Sequence, residues 1–99
     1  MPKKEEILKA LEDVYDPEIG VDIVTLGLIY EVTISQENDV HILMTFTFPG
    51  CPYGQQLQEE VEDAVKGLKD VRNVKVEITF EPAWTPEKID PDVRAALGF

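Results

Sequence analysis

The chain holds one cysteine, Cys51, in the run Phe48-Pro49-Gly50-Cys51-Pro52-Tyr53. An alternating apolar stretch lies behind it and a helical pattern ahead, so the thiol belongs at the joint between a strand and the first turn of a helix. Pro52 suits the first helical position, because the N–H it lacks would find no partner there. That sets Cys51 at or next to the N-cap, where unpaired backbone N–H groups and the helix dipole favour negative charge. A thiol so placed is acidified and partly exposed, the state that a metal ligand or a nucleophile needs. The competing reading is a small buried apolar residue that ends a strand. Local spacing alone leaves both open.

Three polar clusters fall at loop ends: Asp16-Pro17-Glu18 with Asp22, Thr45 and Thr47 leading towards Cys51, and Trp84 in Pro82-Ala83-Trp84-Thr85-Pro86. Taken singly, Asp16 reads as a helix terminator, Asp22 as a loop cap, Thr45 and Thr47 as good strand residues, and Trp84 as cover for the core edge. His41 alternates outward near a hairpin and reads as surface. A closed metal site needs three or four ligands, and an iron–sulfur cluster usually takes four cysteines. One chain with one cysteine cannot supply them. A cluster would have to be shared between chains, completed by carboxylates or a small thiol, or handed on quickly. A single histidine suggests no Ser/His/Asp arrangement, and no P-loop is present. Cys51-Pro52-Tyr53-Gly54 is similar to the Cys-Pro-Tyr-Cys site of glutaredoxins with Gly54 in place of the second thiol. Dithiol exchange within the chain is then excluded. A hairpin precedes the motif, unlike the β-α-β unit of a thioredoxin-like fold, so monothiol exchange is the weaker alternative.

The elements that position these residues follow from periodicity. Ile7, Leu8, Leu11, Val14 and Tyr15 form one helical face, which Asp16-Pro17 stops. Residues 18–27 read as an irregular loop with Gly20 and Gly27 at permissive positions. Leu28, Tyr30, Val32 and Ile34 alternate as a half-buried strand. Ser35 to Asp39 form a polar hairpin loop. Val40, Ile42, Met44, Phe46 and Phe48 give a second strand. Leu57, Val61, Ala64, Val65 and Leu68 line a helix opened by Pro52. Val74, Val76, Ile78 and Phe80 give a third strand. Thr85-Pro86 and Asp90-Pro91 each pair an N-cap residue with proline, marking two short helix starts, and Gly98 is a C-terminal stop.

The expected fold is α+β: a two-layer domain ordered helix-strand-strand-helix-strand with a short helical C-terminal tail. Its small mixed sheet is covered by helices on one face. Ile29 and Leu43 interrupt the polar face, as a dimer contact or without consequence. The 99 residues, 43% hydrophobic and 29% charged, suit one domain over residues 1–99 with a modest core. No apolar run reaches the ~18–20 residues of a membrane span, and the N-terminus shows no signal-peptide segment. One cysteine excludes an internal disulfide and fits a reducing, cytoplasmic setting. Twenty acidic against nine basic residues give a formal net charge of −11. Such a surface repels nucleic acid and anionic membranes and tolerates a basic partner or a metal cation.

Together the segments resemble the small proteins of metal–sulfur cluster biosynthesis, the SufT-like and PaaD-like proteins and the domains attached to Mrp-type ATPases. The run Asp16 to Ile29 is similar to the family's Asp-Pro-Glu…Asp-Ile…Leu-Gly-Leu signature. Thr47-Phe48-Pro49-Gly50-Cys51-Pro52 is similar to its Thr-x-x-x-Cys-Pro motif. Pro82-Ala83-Trp84-Thr85-Pro86 is similar to its Pro-Pro-Trp turn, with Ala83 departing at the second proline. The likeness runs from about residue 5 to Leu97. It implies a non-enzymatic factor that transiently carries iron or an iron–sulfur cluster, or helps deliver it, among assembly proteins and client apoproteins. Cys51 would be the thiolate ligand, with Asp22 and Thr47 as neighbours. In that reading Asp16, Glu18 and Asp22 shape the adjoining loop, with an electrostatic or ligand role. Thr47 orients the thiolate and Trp84 walls the site. A single thiol points to a homodimer or a partner protein for the remaining ligands. A metal-free interaction adaptor in the assembly machinery is the alternative.

Overall fold

Val40, Ile42 and Met44 alternate along one strand, and their side chains are 2%, 0% and 0% exposed. That strand is the centre of the sheet. The computed structural model describes residues 2–47, 50 and 52–98. Its elements run α1 (Lys4–Leu11), β1 (Ile29–Ile34), β2 (Asp39–Met44), α2 (Gly54–Lys66), β3 (Asn73–Ile78), a 3-10 turn (Pro86–Lys88) and α3 (Pro91–Leu97). The sheet order is β1-β2-β3, with β1 antiparallel and β3 parallel to β2. This is the mixed α+β architecture expected from the sequence. Ile7 and Leu11 of α1 and Leu57, Val61 and Val65 of α2 close over one sheet face. Each such side chain contributes about 1.5–3 kcal/mol by leaving water.

Four boundaries differ from the sequence expectation. α1 ends at Leu11, not at Asp16-Pro17. Residues 14–16 instead pair with 21–23: Ile23 N–H donates to Val14 O (2.9 Å) and Asp16 N–H to Val21 O (3.0 Å). Val14 thereby stays in the core, while Tyr15 is left 55% exposed. In β1 the register shifts between Ile29, opposite Met44, and Glu31, opposite Leu43. Tyr30 is the extra residue of a bulge. The bulge turns Ile29 onto the core, so it is no interruption of the polar face. Leu43 remains on the open face, half-buried between Glu31 and Glu77.

β2 and β3 end at Met44 and Ile78, short of Phe48 and Phe80. Ladder-like bonds continue one residue further, Thr45 N–H to Leu28 O and Thr79 N–H to Met44 O, each 2.9 Å. α2 starts at Gly54, two residues after Pro52, which lies in a turn with Tyr53. Gly54 is buried against Phe46, whose ring would lie 2.8 Å from an added Cβ. The tail follows the sequence signals. Asp90 caps α3 by accepting from Asp92 N–H (3.0 Å), and Gly98 closes it at φ 83°.

The far end of the sheet is tied by Arg72, whose guanidinium grips both carboxylate oxygens of Asp39 (2.9 and 2.6 Å). This hydrogen bond, with help from Asn73 and the Arg72 charge, holds the Asp39 pKa below its ordinary value. A lowered carboxylate pKa contributes stability above the unfolded-state value and loses it as pH falls through the folded one. Asp39→Asn is therefore expected to flatten the acid limb of a urea-midpoint-versus-pH curve and leave the slope near neutrality unchanged.

Gly20 and Gly27 both adopt φ near +77°. Gly20 faces open space, whereas a Cβ on Gly27 would collide with the Lys88 carbonyl. Gly20→Ala should cost about 1–2 kcal/mol in urea unfolding. Gly27→Ala should cost at least ~1–3 kcal/mol more, because the backbone approach must also give.

Candidate functional site

A strand sandwiched between one antiparallel and one parallel neighbour brings particular chain ends together. The start of β1 and the ends of β2 and β3 share one edge of the sheet. Ile29 faces Met44, which faces Ile78. The loop before β1 carries Asp16, Glu18 and Asp22. The segment after β2 carries Thr45, Thr47 and Cys51, and the segment after β3 carries Trp84. The described parts of all three motif segments therefore lie towards one end of the sheet. Cys51 itself lies outside the described residues, as do Phe48 and Pro49. The N-cap placement of the thiol falls there too. The contact of Phe46 with Gly54 brings the two flanks of that segment together.

Asp16 is 1% exposed. Its Oδ1 accepts from the N–H groups of Glu18 (2.8 Å) and Ile19 (3.3 Å), and its carbonyl accepts from Gly20 N–H (2.7 Å). Pro17 cannot donate, so the carboxylate reaches past it and closes a tight turn. Glu18 is exposed and takes part through its backbone.

Asp22 does the same for the next turn. Its Oδ2 accepts from Val24 N–H (3.1 Å) and Thr25 N–H (2.9 Å), and its Oδ1 from the Thr25 hydroxyl (2.6 Å). Leu26 N–H returns to its carbonyl (3.1 Å). Both carboxylate oxygens are thus engaged by the loop they organise. An isolated bridge between Tyr15 and Asp22 sets this turn beside the Asp16 turn.

Trp84 is half-buried against the core and donates its indole N–H to Leu26 O (2.6 Å). It joins the tail to the Asp22 loop. Thr45 is fully buried and Thr47 half-buried. Thr45 Oγ1 makes a long bond to Phe46 O (3.4 Å). His41, expected at the surface, lies on the open sheet face 3.1 Å from Glu77. Among the described residues no group of three or more His, Cys, Asp or Glu side chains comes together as a metal site.

Sequence reasoning missed two residues of this end. Thr25 stands three residues after Asp22, the spacing of a cap and its partner, and that signal was readable. Tyr30 reads as an inward strand residue, but the bulge turns it to the tail, where its hydroxyl donates to Pro82 O (2.7 Å). Burial raises the Tyr30 pKa, partly opposed by Thr45. Lys88 Nζ sits 5.1 Å from the centre of the same ring, within cation–π range.

A sequence model of the family described as "Iron-sulfur cluster assembly protein" matches residues 4–78. The chain is 44% identical over 95 residues to the Fe-S protein maturation auxiliary factor YitW of Bacillus subtilis (strain 168), covering 96% of this chain and 93% of that protein. It is 36% identical over 85 residues to the Fe-S protein maturation auxiliary factor SufT of Staphylococcus aureus (strain USA300), covering 86% and 97%. Among solved structures, a domain of unknown function (DUF59) from Bacillus anthracis superposes with a TM-score of 0.91 at 36% identity, covering 97% of this chain and 92% of that one.

The double use of the Asp22 carboxylate sets an expected outcome. Asp22→Ala should lower unfolding free energy by about 1–2 kcal/mol, the loss of a cap. Asp22→Asn keeps one carbonyl acceptor for the Val24 and Thr25 amides and should lose less than half of that. Urea denaturation of the two variants checks it.

Proposed function

This chain belongs to the iron–sulfur cluster assembly protein family, and from that premise we propose that it is a maturation factor for iron–sulfur proteins. It works without catalysing a reaction of its own. Iron or a cluster is its cargo, held transiently or passed to a client apoprotein, with the Cys51 thiolate as the ligand on this chain. A lone thiolate leaves the other ligand positions to the donor, the client or a second copy, so the bond is made to be broken. Asp16 and Asp22 fix the loop beside the thiol rather than bind the cargo. Thr47 stands next to the thiol segment and orients it. The assembly proteins and clients it meets are in the cytoplasm. No helix among the described residues is long and apolar enough to cross a membrane.

The observation that supports this reading is the convergence of the three motif segments on one end of the sheet. Relatives named as Fe-S protein maturation auxiliary factors match nearly the whole chain, which supports the same role.

The test is iron and acid-labile sulfide per chain after anaerobic reconstitution, with visible absorption, on the wild type and Cys51→Ala. The wild type should hold both, and Cys51→Ala should lose most of each with its circular dichroism unchanged. If the wild type holds neither, while maturation of a client in cells still requires the protein but not its thiol, the metal-free adaptor replaces the carrier.

A further inference from the structure

The Asp22 turn is closed from within by its own carboxylate; its flanks are held by Ile23 N–H to Val14 O and Thr45 N–H to Leu28 O, and its tip is held by residues some sixty positions further along the chain. Among the described residues, the hydrogen bonds that tie residues 24–27 to the rest of the protein come from the tail: Trp84 Nε1–H to Leu26 O and Asp90 N–H to Thr25 O (3.0 Å). The Lys88 backbone presses on Gly27 where a side chain would be. Ile89, 2% exposed, anchors the tail in the core, and Tyr30 holds its start through Pro82 O. α3, which follows, has no buried residue and adds no comparable anchor.

We propose that residues 82–90 form a strap that positions residues 24–27, with Trp84 and Tyr30 as its positioning residues, so that strap and loop open and close as one unit. Trp84 is then a strut rather than a wall. The physical basis is mutual dependence. The loop's carbonyls at Thr25 and Leu26 find their partners on the strap, and the strap's donors find theirs on the loop. Releasing either leaves the other's groups unpaired, the condition for a cooperative local opening below the energy of global unfolding. The significance of the strap for cargo handling rests on the reading of this sheet end as the maturation site.

Amide hydrogen exchange on the full chain tests the proposal, using Trp84→Phe, which keeps an aromatic ring but removes one donor, and Tyr30→Phe, which keeps the ring beside Lys88. Exchange at Val24, Thr25, Leu26 and Gly27 should speed up about tenfold in either variant, while Ile42 and Val76 in the sheet are unchanged. Reciprocally, Asp22→Ala, which removes the acceptor for the Val24 and Thr25 amides, should shift the emission of the sole tryptophan to the red as the indole loses its loop partner. Equal acceleration at every amide would mean global destabilisation and overturn the strap, as would unchanged exchange at residues 24–27 in both variants. Client maturation by the same variants separates the two readings. Local opening with lost maturation supports both. Local opening with full maturation keeps the strap and counts against this end as the site.

Discussion

Because β2 is paired antiparallel on one side and parallel on the other, the protein has one end at which three separate stretches of chain must meet. Strand direction dictates it. An antiparallel neighbour begins where β2 ends, and a parallel neighbour ends where β2 ends. The loop into β1, the segment out of β2 and the segment out of β3 therefore share that end, although Asp16 and Trp84 are far apart in sequence. The buried row Val40, Ile42 and Met44 keeps β2 central, since only a middle strand with one covered face protects such a row from water.

The meeting of three irregular segments creates a hydrogen-bonding problem, because a loop packed against a core has backbone groups that neither ladder nor water satisfies. Side chains solve it here. Asp16 and Asp22 each take two backbone N–H groups, and Trp84 takes a carbonyl. The Asp16 and Asp22 carboxylates of this end are thus engaged by the loops they organise. The opposite end of the sheet is closed differently, by the Arg72 grip on Asp39. That ion pair is exposed and screened, so it adds registration more than stability.

The net charge of −11 acts at longer range than any of these contacts. Glu59, Glu60 and Asp63 on the exposed side of α2 and Glu87 and Asp92 in the tail extend it over both helical surfaces. Such a field favours approach by basic surfaces and cations and weakens as salt rises. It also opposes close association of two copies, so a second copy would have to gain more from its contacts than it loses in repulsion.

Local pattern by itself determined which stretches are helix and which are strand, because burial on one face imposes a period of 3.6 or 2 that Leu57-Val61-Val65 and Val40-Ile42-Met44 display openly. It also determined the tail, since the Asp90 carboxylate cap, Pro91 and Gly98 act on the helix turn next to them in sequence. The three motif segments were readable as a set, so the family could be named from the chain. Tertiary structure alone decided where elements stop and what the polar residues hold. Pairing of 14–16 with 21–23 ended α1 early, and the bulge exchanged Tyr30 for Ile29 in the core. Trp84 found Leu26, and Asp90 found Thr25, across more than half the length of the chain. These are contacts between distant segments, set by strand order and close packing, and no local window of sequence contains both partners.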